Sequence, residues 1–246
     1  MKLPSFIESV FGGRKRRFSV QFPATAEDAE KYYEVLAELF GQDIIPPLSF
    51  LRAVPKVNPY GLIIINDIDG KVLGGIELYG LKHDFLDDYL AGEKMDSDFR
   101  AHHLLDPERV VADGRLYCAI TIDESGFEAV YGREYTKKIR EIRDHLLVVT
   151  VGAIKEGYFS HGAARETLSI YAIEGTLGGK ATLKQIGFKE ISDGAKRKDQ
   201  RPLYHLDLSR NEVDRILERT LNPPKRPERN SSAKSQDIKV RRAGKR

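Results

Sequence analysis

The residues able to do chemistry fall into two sets. Asp123 and Glu124 follow the run from Arg115 to Ile122, whose β-branched and aromatic content predicts a strand. Open α/β sheets bind ligands beyond the ends of their strands, so either carboxylate is placed to take a proton from a nucleophile, directly or through water. Glu77, two residues after Gly75 in the expected strand Lys71 to Tyr79, is a third candidate base. Tyr135 and Tyr171 are candidate proton donors. Each has a plainer reading: a solvent-facing strand end and polar loop start for Asp123 and Glu124, an exposed strand position for Glu77, and hydrogen-bonded rim residues for the tyrosines. The second set is cationic. Arg133, Lys137, Lys138 and Arg140 follow Gly132 around the start of an expected long helix. Backbone amides at a helix start hold phosphate oxygens, and neighbouring cations reinforce them. Cations there oppose the helix dipole, which makes the cluster unusual, although a solvated basic helix start is the plain alternative.

Other chemistries find less support. His102-His103 lie near Asp96, Asp98 and Asp106 in the sequence, but the spacing matches no established ligand set, so no metal is expected. Cys118 alternates with inward residues of its strand and reads as a core thiol. The chain lacks a phosphate-binding Walker loop, a serine elbow and a dinucleotide fingerprint.

Composition narrows the classes further. The 246 residues are 41% hydrophobic and 31% charged, with 11 Tyr, 11 Phe and no Trp. That suits a globular protein with a substantial core. The single cysteine excludes an internal disulfide and fits a reducing, cytoplasmic setting. No apolar run is long enough for a membrane span, and Met1 to Phe11 lack a secretory h-region. The net charge of +3 is uneven. Pro223 to Arg246 hold nine basic and two acidic residues, a surplus of seven, which leaves the rest of the chain four negative. We therefore expect three parts: a basic segment 1–17 containing Arg14-Lys15-Arg16-Arg17, a folded domain 18–221, and a disordered basic tail 222–246 with too few apolar residues to order itself. Both basic segments are solubilising arms or contacts for nucleic acid or protein.

The elements that must position these residues alternate in period. Thr25 predicts a helix start, and Ala29, Tyr32, Tyr33, Leu36, Leu39 and Phe40 follow at helical spacing until Gly41. The stretch containing Pro46, Pro47, Pro55 and Pro59 reads as irregular. Gly61 to Asn66, the turn Asp67-Ile68-Asp69-Gly70 and Lys71 to Tyr79 read as a hairpin. Gly74-Gly75 suggests a bulge or close backbone approach. Residues 82–113 carry no clear pattern, and Ser125 to Thr136 reads as a Gly-interrupted loop. Lys137 to Glu156 reads as a helix stopped by Gly157, although its β-branched middle also suits a strand. Leu168 to Ile173 is a strand, Gly175 to Ile186 a helix capped by Gly187, Phe188 to Ile191 and Pro202 to Leu208 closing strands, and Asn211 to Leu221 a last helix. The expected fold class is α/β (α+β), a mixed sheet flanked by helices.

This order, ending in Ala181-Thr182-Leu183-Lys184-Gln185-Ile186-Gly187-Phe188, resembles the GNAT N-acyltransferase superfamily over roughly Leu62 to Leu208. The nearest shape within it is the autoinducer (acyl-homoserine-lactone) synthase branch, which shares a strand like Gly75 to Tyr79, a long excursion and a strand ending like Ile122-Asp123. That branch's paired Glu and Arg fall on Leu116 and Ala119 here. A further Arg falls near Glu77, so its signal-making mechanism does not carry over. The superfamily's Arg-x-x-Gly-x-Gly/Ala loop is absent, with Val130-Tyr131-Gly132-Arg133 the nearest substitute, and its general-acid Tyr falls on Leu183.

The resemblance implies transfer of an acyl group from acyl-CoA or an acyl carrier protein to the amine of a small molecule or protein. Ile120, Thr121 and Ile122 would offer backbone amides to a pantetheine arm in a gap between neighbouring strands. Gly132, Arg133, Lys137 and Lys138 would hold the pyrophosphate or an acidic carrier. Glu77, Asp123, Glu124 and Tyr171 would handle protons. The other reading is a GNAT-like module without catalysis, acting through its basic tail.

Overall fold

The computed structural model describes residues 18–134, 146–160, 166–173 and 177–221. The basic segment 1–17, the tail 222–246, Tyr135, Lys137, Lys138 and Arg140 lie outside the described residues.

One mixed sheet organises the chain, with strands in the order β1-β2-β3-β5-β6-β8-β7. β1 (Phe18–Gln21) and β2 (Leu62–Asp67) are antiparallel, as are β2 and β3 (Val72–Leu81). The β2–β3 turn closes where Asp67 Oδ1 accepts from the amides of Asp69 and Lys71 at 2.9 and 2.8 Å. β4 (Leu104–Leu105) pairs with the end of β3. β5 (Arg115–Ile122) runs antiparallel to β3, from Gly74 opposite Ile122 to Tyr79 opposite Tyr117. β6 (Thr167–Ile173) joins β5 in parallel. β8 (Leu203–Ser209) and the edge strand β7 (Lys189–Ser192) finish the sheet antiparallel. The mixed sheet and its flanking helices are those expected from the sequence.

Alternation along the strands divides the core. Leu116, Cys118, Ile120 and Ile122 face one layer, while Tyr117 and Tyr79 face the other. The Tyr117 side is covered by α1 (Ala26–Phe40), α2 (Leu48–Val57) and α3 (His83–Leu90), through residues such as Tyr32, Phe50 and Tyr89. The Cys118 side is covered by α4 (Pro107–Asp113), α5 (Glu124–Tyr131), the helix 146–154 (α6), α7 (Leu177–Ile186) and α8 (Arg210–Leu221). Cys118 is fully buried in a core of hydrocarbon, and burial pushes its thiol well above the usual range.

Local chemistry explains the helix ends. Thr25 Oγ1 accepts from the Asp28 amide at 3.1 Å, and Asp28 Oδ2 accepts from the Thr25 amide at 2.8 Å, a reciprocal cap. Gly187, at φ +112°, donates to the Leu183 carbonyl and ends α7.

Four expectations need correction. The proline-rich stretch is helical over α2, because Pro47 stands at its N-cap and Pro55 near its end. The segment after Glu124 is α5 rather than a loop, since Asp123 Oδ1 caps the Gly126 amide at 2.9 Å. Gly157 does not stop α6. It sits inside a π-turn, Lys155–Phe159, where a Cβ would lie 2.7 Å from Tyr60 Cγ. Residues 82–113, which carried no readable pattern, hold α3, β4, α4 and two 3₁₀ turns.

Both expectations for Gly74-Gly75 are met. The register skips Leu73 between Asn66–Val72 and Ile65–Gly74, a bulge. Gly74 has φ +154°, and a Cβ there would meet the Thr121 carbonyl oxygen at 2.3 Å. A Cβ on Gly75 would meet Tyr32 Cε2 at 2.8 Å, so α1 rests directly on the strand.

Candidate active site

β5 and β6 pair in parallel from Arg115 opposite Ser169 onward. Cys118 is opposite Ala172, the last pair described, yet β5 continues through Ala119 to Ile122. A narrow cleft lies beside the strand ends, lined by Ala119, Ile120 and Thr121 of β5 and by Ile173 at the end of β6.

Glu77 lies on the same rung as Ala119, on the neighbouring strand, and lines the cleft. It is only 2% exposed, which corrects the reading of an exposed strand position. Two phenols hold it. Tyr32 Oη of α1 donates to Oε1 at 3.1 Å, and Tyr79 Oη donates to Oε2 at 2.6 Å. Burial pushes the Glu77 carboxyl up to about 7, against the pull of those two hydrogen bonds. Burial, and then the nearby carboxylate charge, also raises the hydroxyls of Tyr32 and Tyr79, which therefore remain donors. A carboxyl near 7 exchanges a proton readily at neutral pH.

A second polar group completes the cleft. Asp96, buried and lining it, accepts from Tyr89 Oη at 2.8 Å and Tyr117 Oη at 3.3 Å through Oδ1. Its Oδ2 accepts from Arg201 Nη2 at 2.9 Å. Arg201 also reaches Asp199 Oδ2 at 3.5 Å. Asp199 in turn is gripped side-on by one edge of Arg197, Nε to Oδ1 and Nη2 to Oδ2, each at 3.1 Å, with both side chains almost fully buried. Arg197 also donates to the Tyr89 carbonyl at 2.8 Å. The segment between β7 and β8 is thereby locked to α3. Apolar residues of α1 and the segment after it, Leu36, Phe40, Ile45 and Pro46, close the cleft from above.

The remaining sequence candidates are distributed around this centre. Asp123 caps α5 and donates its amide to the Leu73 carbonyl at 2.9 Å, while Glu124 is the first residue of that helix. Ile122 packs its side chain into the core. Tyr171 is opposite Tyr117 on β6, with its ring 4.8 Å from that of His205. Gly132 and Arg133 form an exposed turn after α5. Among the sequence candidates, Glu77, Ile120 and Thr121 are the ones that line the cleft. Sequence reasoning missed Tyr32, Tyr79, Asp96 and Arg201. Among the described residues, no group of three or more His, Cys, Asp or Glu side chains is arranged to hold a metal ion, and no helix is long and apolar enough to cross a membrane.

No protein-family model and no curated protein matches the chain. Solved structures with similar architecture include an aminoglycoside acetyltransferase in complex with coenzyme A and kanamycin, at 12% identity, covering 80% of this chain and 98% of that one, with a TM-score of 0.43. Another is a GNAT-family acetyltransferase from Bacillus anthracis, at 9% identity, 80% and 96% coverage, and a TM-score of 0.41. A third is the ribosomal-protein-S5-alanine acetyltransferase of Vibrio fischeri, at 11% identity, 79% and 94% coverage, and a TM-score of 0.42.

Proposed function

We propose that this chain is an N-acyltransferase of the GNAT type, carrying an acyl group from a thioester, acyl-CoA or acyl carrier protein, to an amine. One observation carries the reading: the cleft lined by Ala119, Ile120 and Thr121 of β5 and Ile173 of β6 also holds a buried carboxylate, Glu77, which burial pushes up to about 7. In this reading the pantetheine arm lies along Ile120, Thr121 and Ile122, whose backbone groups position it and polarise the thioester carbonyl. Glu77 takes a proton from the amine. The nitrogen attacks the carbonyl carbon, the C–N bond forms as the C–S bond breaks, and the departing thiolate recovers a proton.

Leu116 and Ala119 stand where the autoinducer synthases have their paired Glu and Arg, so in this reading the chain is a shape relative of that branch that uses Glu77 as its own base. Asp123, Glu124 and Tyr171 are assigned to the rim of the site. Gly132 and Arg133, with Lys137 and Lys138, are assigned to the donor's phosphates or an acidic carrier. The catalytic domain is placed at 18–221 and the protein in the cytoplasm.

A titration with acyl-CoAs of several chain lengths, followed by thermal shift, tests the reading. Stabilisation is expected, with weakening in Arg133→Ala/Lys137→Ala. No stabilisation by any acyl-CoA or acyl carrier protein would overturn it.

The absence of the Arg-x-x-Gly-x-Gly/Ala loop favours a second reading, a module without catalysis that binds nucleic acid or protein through its basic tail. Deleting 223–246 separates the two. Donor binding survives the deletion in an enzyme, whereas salt-sensitive partner binding disappears in a module.

A further inference from the structure

The cleft contains both signs of charge, and this bears on what the acceptor carries besides its amine. Its charged lining is Glu77, Asp96 and Arg201. Arg201 is the only cation among the described lining residues. Two carboxylates against one guanidinium disfavour a simple anion. The guanidinium is nevertheless incompletely used. Its Nη2 is fixed by Asp96 at 2.9 Å and approaches Asp199 at 3.5 Å, while its Nε is buried and has no hydrogen-bond partner among the described residues. A buried N–H without an acceptor is unfavourable, and an incoming oxygen would relieve it. Asp199, held by Arg197, also accepts from the Arg201 backbone amide at 3.1 Å and anchors this segment.

We propose, on the basis of the acyl-transfer reading above, that the acceptor is an amino acid or a close relative: a molecule whose amine meets Glu77 while its carboxylate meets Arg201. The apolar cover formed by Leu36, Phe40, Ile45 and Pro46 favours an aliphatic or aromatic side chain on that acceptor. Both charged ends then have a partner of opposite sign in a water-poor space. The covalent step is unchanged: the amine nitrogen bonds to the acyl carbon, the thiol leaves, and the product is an N-acyl amino acid with its carboxylate intact.

The test uses the full chain with lauroyl-CoA and acetyl-CoA and follows thiol release. Leucine, phenylalanine and tyrosine are compared with isoamylamine, phenethylamine and tyramine, which lack only the carboxylate. The amino acids are expected to react at least about a hundredfold faster, because a site built for a polar group rejects the analogue that lacks it. Arg201→Lys, which retains charge but loses the Nε donor, is expected to shrink that ratio below about tenfold. The wild-type ratio stands as a test even if that variant folds poorly. Equal rates for the two series would overturn the assignment and leave acyl transfer standing. Donor stabilisation without thiol release to any amino acid would overturn it as well. Failure of both donor binding and thiol release would remove the acyl-transfer reading itself, and this assignment with it.

Discussion

Tyr79 Oη donates to Glu77 Oε2 at 2.6 Å, from two residues along the same strand and the same face of the sheet. This short bond opposes the effect of burial on the carboxyl. Without it, the negative form of Glu77 loses a donor and its pKa rises further. In Tyr79→Phe the acidic limb of the pH profile of kcat/KM should therefore move to higher pH, by about one unit for the loss of one hydrogen bond to a charged group. An unmoved limb would argue that Glu77 is not the group being titrated.

Glu77 also links stability to pH. Its folded value, about 7, stands above the ordinary value of 4.5, so the native state binds the proton more tightly than the unfolded chain. The stabilisation is complete below about 4.5 and is lost as pH rises through 7. Glu77→Gln should abolish thiol release and flatten the stability curve over that window. At pH 8 the variant should be the more stable protein, by an amount on the order of 3 kcal/mol. Urea denaturation at pH 5 and pH 8 measures both ends.

The Arg197–Asp199 pair is buried on both sides. Asp199→Ala leaves one guanidinium without its carboxylate and weakens the hold on Arg201. Loss of about 3–5 kcal/mol is expected, the range for breaking a buried pair from one side. Chemical denaturation reports it. A cost below 1 kcal/mol would show that water reaches the pair.

Gly74→Ala places a methyl group against the Thr121 carbonyl and asks an L-residue to adopt φ +154°. We expect destabilisation of about 2–3 kcal/mol. Because Thr121 lines the cleft, acyl-donor KM should rise more than at a control site of equal stability cost. Matched denaturation and kinetic measurements separate the two effects.

The sequence showed the frame better than the furniture. Periodicity placed α1, the β2–β3 hairpin, β5, β6 and the closing strands, because each has one face in the core and its residue types repeat accordingly. Prolines misled at α2, since their cost depends on position in the helix rather than number. Glycines misled at α5, where one aspartate cap outweighs Gly126. Glu77 was visible as a carboxylate beside a glycine in a strand. Its environment was not, because Tyr32 comes from a helix 45 residues earlier and Asp96 and Arg201 lie 105 residues apart. Tyr32 also matched the apolar stripe of α1 so well that nothing marked its hydroxyl. Arg201 sits in a polar connector without periodicity, and only the folded chain shows that this connector is pinned under α3.

That pinning sets an order of assembly. The carboxylates of Glu77 and Asp96 are synthesised early, while the guanidinium that faces them emerges from the ribosome more than a hundred residues later. A nascent or truncated chain ending before the last hairpin would hold two like charges with no counterion and no floor to the cleft. The complete C-terminal hairpin is thus a checkpoint: an incomplete polypeptide lacks the cation that neutralises the cleft.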